Sequence, residues 1–386
     1  MSPALRVSLF YIAFFLGWGC VLPYWPVWYA ERGLSPEMIG VAGGVGLMAR
    51  MLISPIAAFW SDGVRRPKDP LIALSWLTLA FWIAHSPVKE PWMLVGLAFL
   101  TGSALYPIIP LSDSNAMREA RLGGFAFGPV RAAGSAAFIV SNLASGALIG
   151  WLGGEAMLGW MIGAALLMGV AALLLPGRPR RTPAQPARDR LRGFGLLLKK
   201  RSFLLVTLAA AAVAASHSFY YAFSALAWRA QGMETVWVGA LWGLAVAAEV
   251  VFLGVSGRFA ERINPLILIA IGGAGACVRW AVLAFSPPFA VVILMQPLHA
   301  LSFGASFLGF IHFAEAEAGE EHSGSAFALG SALSGGALSA VLTAASGWLY
   351  AHFGAGGFAA MVAPAAIGAA GVLYVAWGRG WTPPAA

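Results

Sequence analysis

The sequence has few charged residues and almost no cysteine. Asp, Glu, Lys and Arg make up 10% of its 386 residues, against about 25% in a typical soluble domain. So few charges cannot cover the water-exposed surface of a globular protein of this length, which excludes a cytosolic enzyme, a nucleic-acid-binding protein and a disordered chain. Cys20 and Cys277 both lie in apolar runs, so we expect no disulfide framework.

Motifs for nucleotide, metal and hydrolytic chemistry are missing as well. The chain has no Gly-Lys-Ser/Thr phosphate loop, which argues against ATP-driven transport. It also lacks a His-Glu-x-x-His run and a Gly-x-Ser-x-Gly elbow, so an intramembrane hydrolase has no visible metal or nucleophile. We therefore predict no catalytic residues, no cofactor, no metal and no nucleic-acid partner. An intramembrane enzyme or a sensor stays the alternative outside transport.

Apolar residues are abundant, at 60% of the chain, and they come in long runs. A bilayer core needs about 20 apolar residues per helix. The sequence predicts an all-α membrane protein with twelve spans, near 5–30, 36–60, 70–86, 91–115, 127–151, 155–176, 202–229, 235–256, 264–285, 289–313, 323–351 and 357–377. The third span is short, and the eleventh is long enough to contain a kink at Gly335–Gly336.

Basic residues predict the orientation and the division of the chain. The loops on one side, with both termini, contain 18 of the 24 Lys and Arg residues. Because positive charge stays on the cytoplasmic side, both termini are expected to be cytoplasmic. The stretch 177–201 contains nine of these residues and predicts a basic linker between an N-terminal six-helix bundle, 1–176, and a C-terminal one, 202–386.

The two halves repeat at a shift of 199 residues, which aligns 33–62 with 232–261. The matched pairs are Gly33 with Gly232, Gly40 with Gly239, Gly44 with Gly243, Ala49 with Ala248 and Asp62 with Glu261. Glycines at a period of four also favour helix packing in lipid, so part of the match reflects shared packing chemistry. With equal span counts, the match favours a 6+6 repeat around a central cavity.

Five ionisable side chains lie at similar depth in five predicted spans. Counted from the span starts at about 1.5 Å per residue, they are Arg50, His217, Glu249, Arg279 and His299. A charge at the bilayer centre costs about 2.5–3.5 kcal/mol on insertion scales, so each needs a reason to be there. Their common level predicts a midplane site that binds substrate or handles protons.

Arg50 is the candidate for holding a substrate anion, because a guanidinium forms two hydrogen bonds to a carboxylate. The alternative is that Arg50 bonds backbone carbonyls at the helix break before Pro55. With neutral histidines, Arg50, Glu249 and Arg279 sum to one positive charge. Burying an uncompensated cation is costly, so this sum predicts a small monoanionic solute, aromatic or otherwise apolar.

Glu249 and Arg279 are predicted to face each other. One interpretation is a structural ion pair between spans eight and nine, and the other is a direct role with substrate or protons. His217 and His299 titrate near neutral pH, so each is either a proton carrier or a satisfied hydrogen-bond partner. The deep aromatic residues on which a flat ring could stack are Phe15, Trp18, Tyr220 and Tyr221.

Two further charged groups lie away from that level. Asp113 and Arg131, 18 residues apart in spans four and five, predict either a helix-tying pair at the inner gate or a functional pair. An acidic stretch after span ten predicts a solvated turn and not a metal site, because known ligand spacing is missing. Its members are His312, Glu315, Glu317, Glu320, Glu321 and His322.

Two loops carry a family signature. The segments are Ser61-Asp62-Gly63-Val64-Arg65-Arg66 after span two and Gly257-Arg258-Phe259-Ala260-Glu261-Arg262 after span eight. Both resemble the Gly, acid and basic pattern of the major facilitator superfamily, although Ala58 replaces the Gly in the first copy and the acid-to-Arg spacing is tightened. The resemblance implies a fold of two six-helix bundles around a central cavity. It also implies a cytoplasmic latch formed by Asp62, Arg65, Glu261 and Arg262.

Further segments resemble the phenylpropionate permease group of that superfamily. They are Leu22-Pro23-Tyr24-Trp25-Pro26-Val27-Trp28, Pro110-Leu111-Ser112-Asp113, Val130-Arg131, Gly134-Ser135, His217, Tyr220-Tyr221-Ala222-Phe223-Ser224-Ala225, Ala248-Glu249-Val250, Val278-Arg279-Trp280 and Leu298-His299. The resemblance implies proton-coupled uptake of a small organic solute by alternating access. The expected protein is a monomer in the bilayer of a bacterial inner membrane. The alternatives are a sugar or nucleoside symporter and a proton-driven drug exporter.

Lactose permease is a more distant relative. Its matching helices carry an acid and an arginine that bind sugar, which favours a functional role for Asp113 and Arg131. It has a carboxylate one turn after its span-ten histidine, where this chain has Ser302. The coupling proton is therefore expected on Glu249 first, then on Asp113, then on His299.

Overall fold

A computed structural model of the chain describes residues 1–179, 195–258 and 262–378, without the side chains of 319–325, 327, 328 and 334. The described residues form an all-helical fold. The first helices are α1 Pro3–Glu31, α2 Pro36–Gly63, α3 Lys68–His85, α4 Pro91–Leu105, α5 Ile108–Gly123, α6 Phe127–Leu152 and α7 Glu155–Leu174. The later helices are α8 Arg201–Ala215, α9 Ser218–Ala230, α10 Thr235–Ser256, α11 Pro265–Leu283, α12 Phe289–Met295, α13 Ser306–Ala332, α14 Ser339–Phe353 and α15 Val362–Leu373.

Short segments of other helix types join the later helices. The π-helical segments are Ala300–Ala305, Leu333–Leu338 and Tyr374–Gly378, and Gly354–Met361 is a 3-10 helix. The segment Leu333–Leu338 coincides with the kink expected at Gly335–Gly336. Single π-helical turns within α-helices often occur at functional sites.

Ten helical stretches in the described part of the chain are long and apolar enough to cross a membrane. The sequence predicted twelve, and the difference has two sources. α3 is not among the ten because Lys68, Asp69 and His85 at its ends lower its mean hydropathy. The last two predicted spans form one stretch, Leu329–Gly378, because the 3-10 segment continues from α14 into α15.

The fourth and seventh predicted spans are each interrupted by a break between two helices. The fourth breaks between α4 and α5 at Pro107, which has no N–H to donate, and α5 then runs on to Gly123. The seventh breaks between α8 and α9 at Ser216 and His217. Both side chains there bond the carbonyl of Val213, one turn earlier, and so compete with the helix backbone. Asp113 therefore lies in the second helix of the fourth span, and His217 lies at the break of the seventh span.

The predicted acidic turn is wrong. Residues 314–322, which the sequence analysis left between two spans, lie within α13. Ala and Glu, which fill this stretch, are among the strongest helix formers. The side chains of Glu320, Glu321 and His322 lie outside the described residues, while Glu317 pairs with Lys200 at 3.7 Å.

The chain packs into two compact units. The first is Met1–Ala184 with Ser224–Gly243, and the second is Gln185–Phe223 with Leu244–Ala386. The first unit thus includes the end of α9 and the beginning of α10, where the hydroxyl of Tyr24 lies 3.1 Å from the Thr235 carbonyl. The predicted linker 177–201 lies partly outside the described residues, so the predicted bundle boundaries remain predictions.

The internal repeat is visible in the backbone. Gly33 and Gly232, which the 199-residue shift aligns, have φ angles of 84° and 86°. Each ends the turn between two helices in a left-handed conformation that glycine adopts without strain. The same turn chemistry therefore recurs at equivalent positions of the two halves.

Each unit has its own packed interior. In the first, α1 meets α6 closely because Gly19 has no side chain, and the hydroxyl of Ser141 donates to the Leu16 carbonyl. In the second, α8, α11 and α13 bury a cluster that includes Phe203, Ile269 and Phe313. These interiors hold the helices that carry the predicted polar residues.

Candidate functional site

Polar side chains gather inside the second unit, in a group that we call the histidine–arginine cluster. Its members are His217, Tyr220, Glu249, Arg279, Gln296, His299 and Ser302. They come from the α8–α9 break, α9, α10, α11 and the region between α12 and α13. Four of the five mid-depth residues expected at one level are thus brought together.

Arg279 is the centre of this cluster and is fully buried, at 0% exposure. Its Nη1 lies 3.1 Å from His299 Nδ1, and its Nη2 donates to Gln296 Oε1 at 2.9 Å. Its guanidinium also lies over the rings of Tyr220, at 4.2 Å, and Trp280, at 4.9 Å. The buried Nε has no hydrogen-bond partner among the described residues. Hydrogen bonds and aromatic faces therefore stabilise this charge in place of water.

His299 contacts both charged members of the cluster. Because Arg279 can only donate, His299 Nδ1 accepts and the ring proton is on Nε2. That Nε2 lies 3.5 Å from Glu249 Oε2. The sequence predicted that Glu249 faces Arg279, whereas in the structure each of them contacts a different nitrogen of His299. A neutral imidazole can pass a proton between its two sides, so this geometry suits proton handling.

His217 forms a second polar contact in the same cluster. Its Nδ1 lies 3.1 Å from the Ala214 carbonyl, which can only accept, so the ring proton is on Nδ1. Its Nε2 then accepts from the Ser302 hydroxyl at 3.0 Å. Tyr221 stacks on the ring at 5.7 Å between centroids. Ser302, noted in the sequence as a departure from lactose permease, thus has a structural partner.

The first unit contains a smaller group that we call the acid–arginine cluster: Tyr11, Phe15, Asp113 and Arg131. The Tyr11 hydroxyl donates to Asp113 Oδ1 at 2.6 Å, and Arg131 Nε lies 3.4 Å from the same oxygen. The Arg131 guanidinium lies 4.4 Å from the Phe15 ring centroid. Asp113 and Arg131 are each 30% exposed, so water or a solute can reach them. The structure thus pairs Asp113 with Arg131, and it adds Phe15 and Tyr11.

Arg50 is half-buried in α2 and lies within electrostatic range of Tyr106. Trp18 meets Tyr106 edge to face at 5.6 Å and stacks on Phe14. Trp18 and Arg50 therefore share Tyr106 as a neighbour.

The predicted latch residues lie at helix ends. Asp62 is in the last turn of α2, and Arg65 and Arg262 are exposed in the turns that follow α2 and α10. Glu261 lies outside the described residues. The latch remains a prediction.

Three polar residues of these regions were missed in the sequence. Gln296 and Tyr106 lie in apolar runs, and Gln296 stands three residues before His299, whose N–H donates to the Gln296 carbonyl at 2.9 Å. Glu119 was overlooked because the fourth span was expected to end at 115. It is fully buried, with Arg118 at 2.7 Å and Arg178 at 3.8 Å. A search for polar residues one turn from the mid-depth charges would have found Gln296.

Comparisons with known proteins agree with this architecture. The model of the MFS_1 like family matches residues 4–359. The chain is 29% identical over 360 residues to the probable 3-phenylpropionic acid transporter of Escherichia coli (strain K12), covering 91% of this chain and 92% of that protein. It is 26% identical over 346 residues to the maltose permease of Geobacillus stearothermophilus, covering 88% and 86%.

Solved structures show the same fold. The nucleoside transporter NupG superposes with a TM-score of 0.81 at 16% identity, covering 99% of this chain and 100% of that one. The D-xylose-proton symporter superposes with a TM-score of 0.72 at 15% identity, covering 97% and 96%. Together with the family match, these likenesses confirm the resemblance that the sequence motifs carried.

Proposed function

The chain belongs to the MFS_1 like family, and from that premise we propose that it takes up a small organic anion, such as an aromatic carboxylate, together with protons. Membership makes it a secondary transporter in the membrane and not an enzyme. The observation that carries the anion proposal is the fully buried Arg279, whose hydrogen bonds to the described residues go to neutral groups. A positive charge held in this way attracts a negative solute through a medium of low dielectric constant.

The proposed architecture is the one expected from the sequence: twelve crossings in two six-helix bundles, joined by the basic linker. The ten apolar stretches become twelve crossings when α3 is counted as one crossing and Leu329–Gly378 as two. Both termini then lie in the cytoplasm, as the basic loops require, and the membrane is a bacterial inner membrane. Alternating access of the two bundles moves the solute.

Substrate contact is proposed for residues in both units. Arg50 holds the carboxylate, and the aromatic side chains form the surface on which the ring stacks. The aromatic residues are Phe15, Trp18, Tyr220 and Tyr221. The polar residues of the proposed binding site are His217, Glu249, Arg279 and His299. The name of the Escherichia coli relative, a probable 3-phenylpropionic acid transporter, supports this solute class.

Proton coupling is proposed for Glu249, which lies beside His299 and is 18% exposed. A proton on Glu249 removes the negative charge that faces the imidazole, and this changes the electrostatic balance around Arg279. Asp113 is the second candidate and His299 the third. A proton can move the carrier between states only by its differential affinity for them, about 1.4 kcal/mol per pKa unit.

The test uses purified carrier in liposomes. With acid outside, we expect labelled 3-phenylpropionate to accumulate, and without a pH gradient only to equilibrate. Arg50→Gln should weaken binding of the anion because the carboxylate loses its two hydrogen bonds. Transport of neutral solutes alone, with the affinity of Arg50→Gln intact, would contradict the proposal.

The second candidate function is symport of a neutral sugar or nucleoside. It is supported by the 26% identity to a maltose permease and by the fold shared with a nucleoside transporter. Maltose and a nucleoside in the same liposome assay distinguish the two candidates. Resistance to toxic compounds on overexpression, without uptake of any of these solutes, would instead indicate an exporter.

A further inference from the structure

Gln296 occupies a position in the histidine–arginine cluster that neither the motifs nor the proposed function uses. It is fully buried at the end of α12, where Pro297 interrupts the helix. Its Oε1 accepts from Arg279 Nη2 at 2.9 Å and from the Tyr220 hydroxyl at 3.2 Å. Its Nε2 donates to the Val292 carbonyl at 2.9 Å. Every hydrogen-bonding group of the side chain is therefore used, and its orientation is determined.

The amide is neutral beside a guanidinium with which a carboxylate could pair. Glu has almost the same shape as Gln and would accept the same two hydrogen bonds from Arg279 and Tyr220, whereas its second oxygen would face the Val292 carbonyl, which cannot donate to it. A carboxylate there would form a direct ion pair with Arg279 and neutralise it. The other hydrogen-bond partner of Arg279, His299, accepts through Nδ1 and is neutral in this arrangement. Gln296 therefore anchors the guanidinium without cancelling its charge.

We propose that Gln296 is the residue that sets the charge of the solute. By positioning Arg279 through a neutral acceptor, it leaves the guanidinium without a hydrogen-bonded carboxylate, so an anionic solute can pair with that charge. A carrier with Glu at this position would favour a neutral solute. This inference rests on the proposed function, and it assigns the preference for anions to one side chain.

The closing experiment measures binding to the purified full-length carrier in detergent by calorimetry, with two probes of the same shape. The probes are 3-phenylpropionate and its neutral amide, 3-phenylpropionamide. The measured quantity is the ratio of the two affinities, because a general loss of binding or folding lowers both. We expect wild type to favour the carboxylate and Gln296→Glu to reduce that ratio about tenfold or more, since an adjacent like charge opposes the anion.

Two control variants separate charge from geometry. Gln296→Met removes the hydrogen bonds without adding a charge, so it should weaken both probes and keep the ratio. The double variant Gln296→Glu with Glu249→Gln restores the net charge of the cluster, so it should recover the wild-type ratio. Melting temperatures in detergent show whether each variant is folded.

Each outcome supports or overturns the inference. If wild type favours the carboxylate and the folded Gln296→Glu variant keeps the same ratio, the inference is wrong and the proposed function stands. If wild type favours the amide or binds neither probe better, the proposed function fails, and the inference fails with it because Gln296 is present. If the ratio falls in Gln296→Met as much as in Gln296→Glu, Gln296 acts only by positioning Arg279 and not through its charge, and the inference is wrong.

Discussion

The two polar clusters combine the same residue types in opposite ways. In the acid–arginine cluster, Arg131 lies 3.4 Å from the carboxylate of Asp113, and both are 30% exposed. In the histidine–arginine cluster, Arg279 is fully buried and a histidine contacts both the arginine and Glu249. The first arrangement is a partly hydrated ion pair, whereas the second holds a buried charge with neutral acceptors and aromatic rings. An arginine and an acid on neighbouring helices thus do not by themselves define a salt bridge.

The difference in burial also explains what each arginine needs from its neighbours. A partly exposed ion pair contributes less to stability, because water still reaches both charges. A buried guanidinium must have its hydrogen bonds supplied by the protein, and Gln296 and His299 supply two of them. The second unit is therefore the place where a single substitution is expected to have the greatest consequence.

The largest expected effect comes from removing Arg279, compared with removing Arg131. Arg279→Leu leaves the Nδ1 acceptor of His299 without its donor and removes one of the two donors to Gln296 Oε1. We expect a loss of about 3–5 kcal/mol in unfolding free energy, the range for breaking a buried charged network. Arg131→Leu is the matched control, with an expected loss of about 0–1 kcal/mol. Chemical unfolding in detergent measures both, and equal losses would remove the distinction between the clusters.

The second prediction compares the two carboxylates. Glu249→Gln should still exchange solute across the membrane but lose accumulation driven by a pH gradient, because the site can no longer take up a proton. Asp113→Asn is the control and should keep pH-driven accumulation. Counterflow and gradient uptake are measured on the same preparations. The reverse result would assign coupling to the acid–arginine cluster.

The third prediction sharpens the description of the first cluster. Tyr11→Phe removes the 2.6 Å hydrogen bond to Asp113, and hydrogen bonds to charged groups contribute about 1.5–3 kcal/mol. Because Asp113 is partly exposed and keeps Arg131, we expect a loss near the lower end of this range. Thermal unfolding measures it, with Phe15→Leu as a variant that changes the packing around Arg131 but leaves the hydrogen bond. A larger loss in Phe15→Leu would show that ring contacts dominate.

The smallest expected effect concerns Ser302. Ser302→Ala removes the donor to His217 Nε2, which should cost about 1 kcal/mol in unfolding free energy. Ser302→Thr keeps the hydroxyl and should restore most of the loss. Uptake should persist in both variants, because the contact of His299 with Glu249 is unchanged. Loss of transport in Ser302→Ala, with stability preserved, would place the His217–Ser302 contact in the transport step itself.

Much of the fold could be predicted from the sequence. Apolar runs marked most of the helices, and the 199-residue repeat marked the equivalent turns at Gly33 and Gly232. The breaks at Pro107 and at Ser216–His217 were not predicted, because they depend on which carbonyls the local side chains bond. The helical conformation of 314–322 was missed because a polar stretch between apolar runs is typical of a loop, whereas helix propensity and continuity with α13 decided otherwise.

Four charged or titratable members of the histidine–arginine cluster were predictable from the sequence, but their contacts were not. Depth along the spans grouped His217, Glu249, Arg279 and His299, and the structure brings these four into one cluster. The depth of a residue along its span does not say which way its side chain faces around the helix axis. Depth therefore could not show that His299 contacts both Glu249 and Arg279. Gln296 was missed for a related reason, since a neutral residue does not stand out when only charges are counted.

The sequence by itself determined that this protein is helical and membrane-embedded, because so few charges and so many long apolar runs exclude a water-exposed globule. It also determined the family, through motifs that lie in order along the chain. Only the tertiary structure decided which partner each buried polar group has. The physical reason is that a buried charge is stabilised by the donors, acceptors and rings within a few ångströms of it, and helices distant in sequence supply these. Arg279 on α11 has Gln296, His299 and Tyr220 around it because α9 and the region between α12 and α13 both meet α11 there.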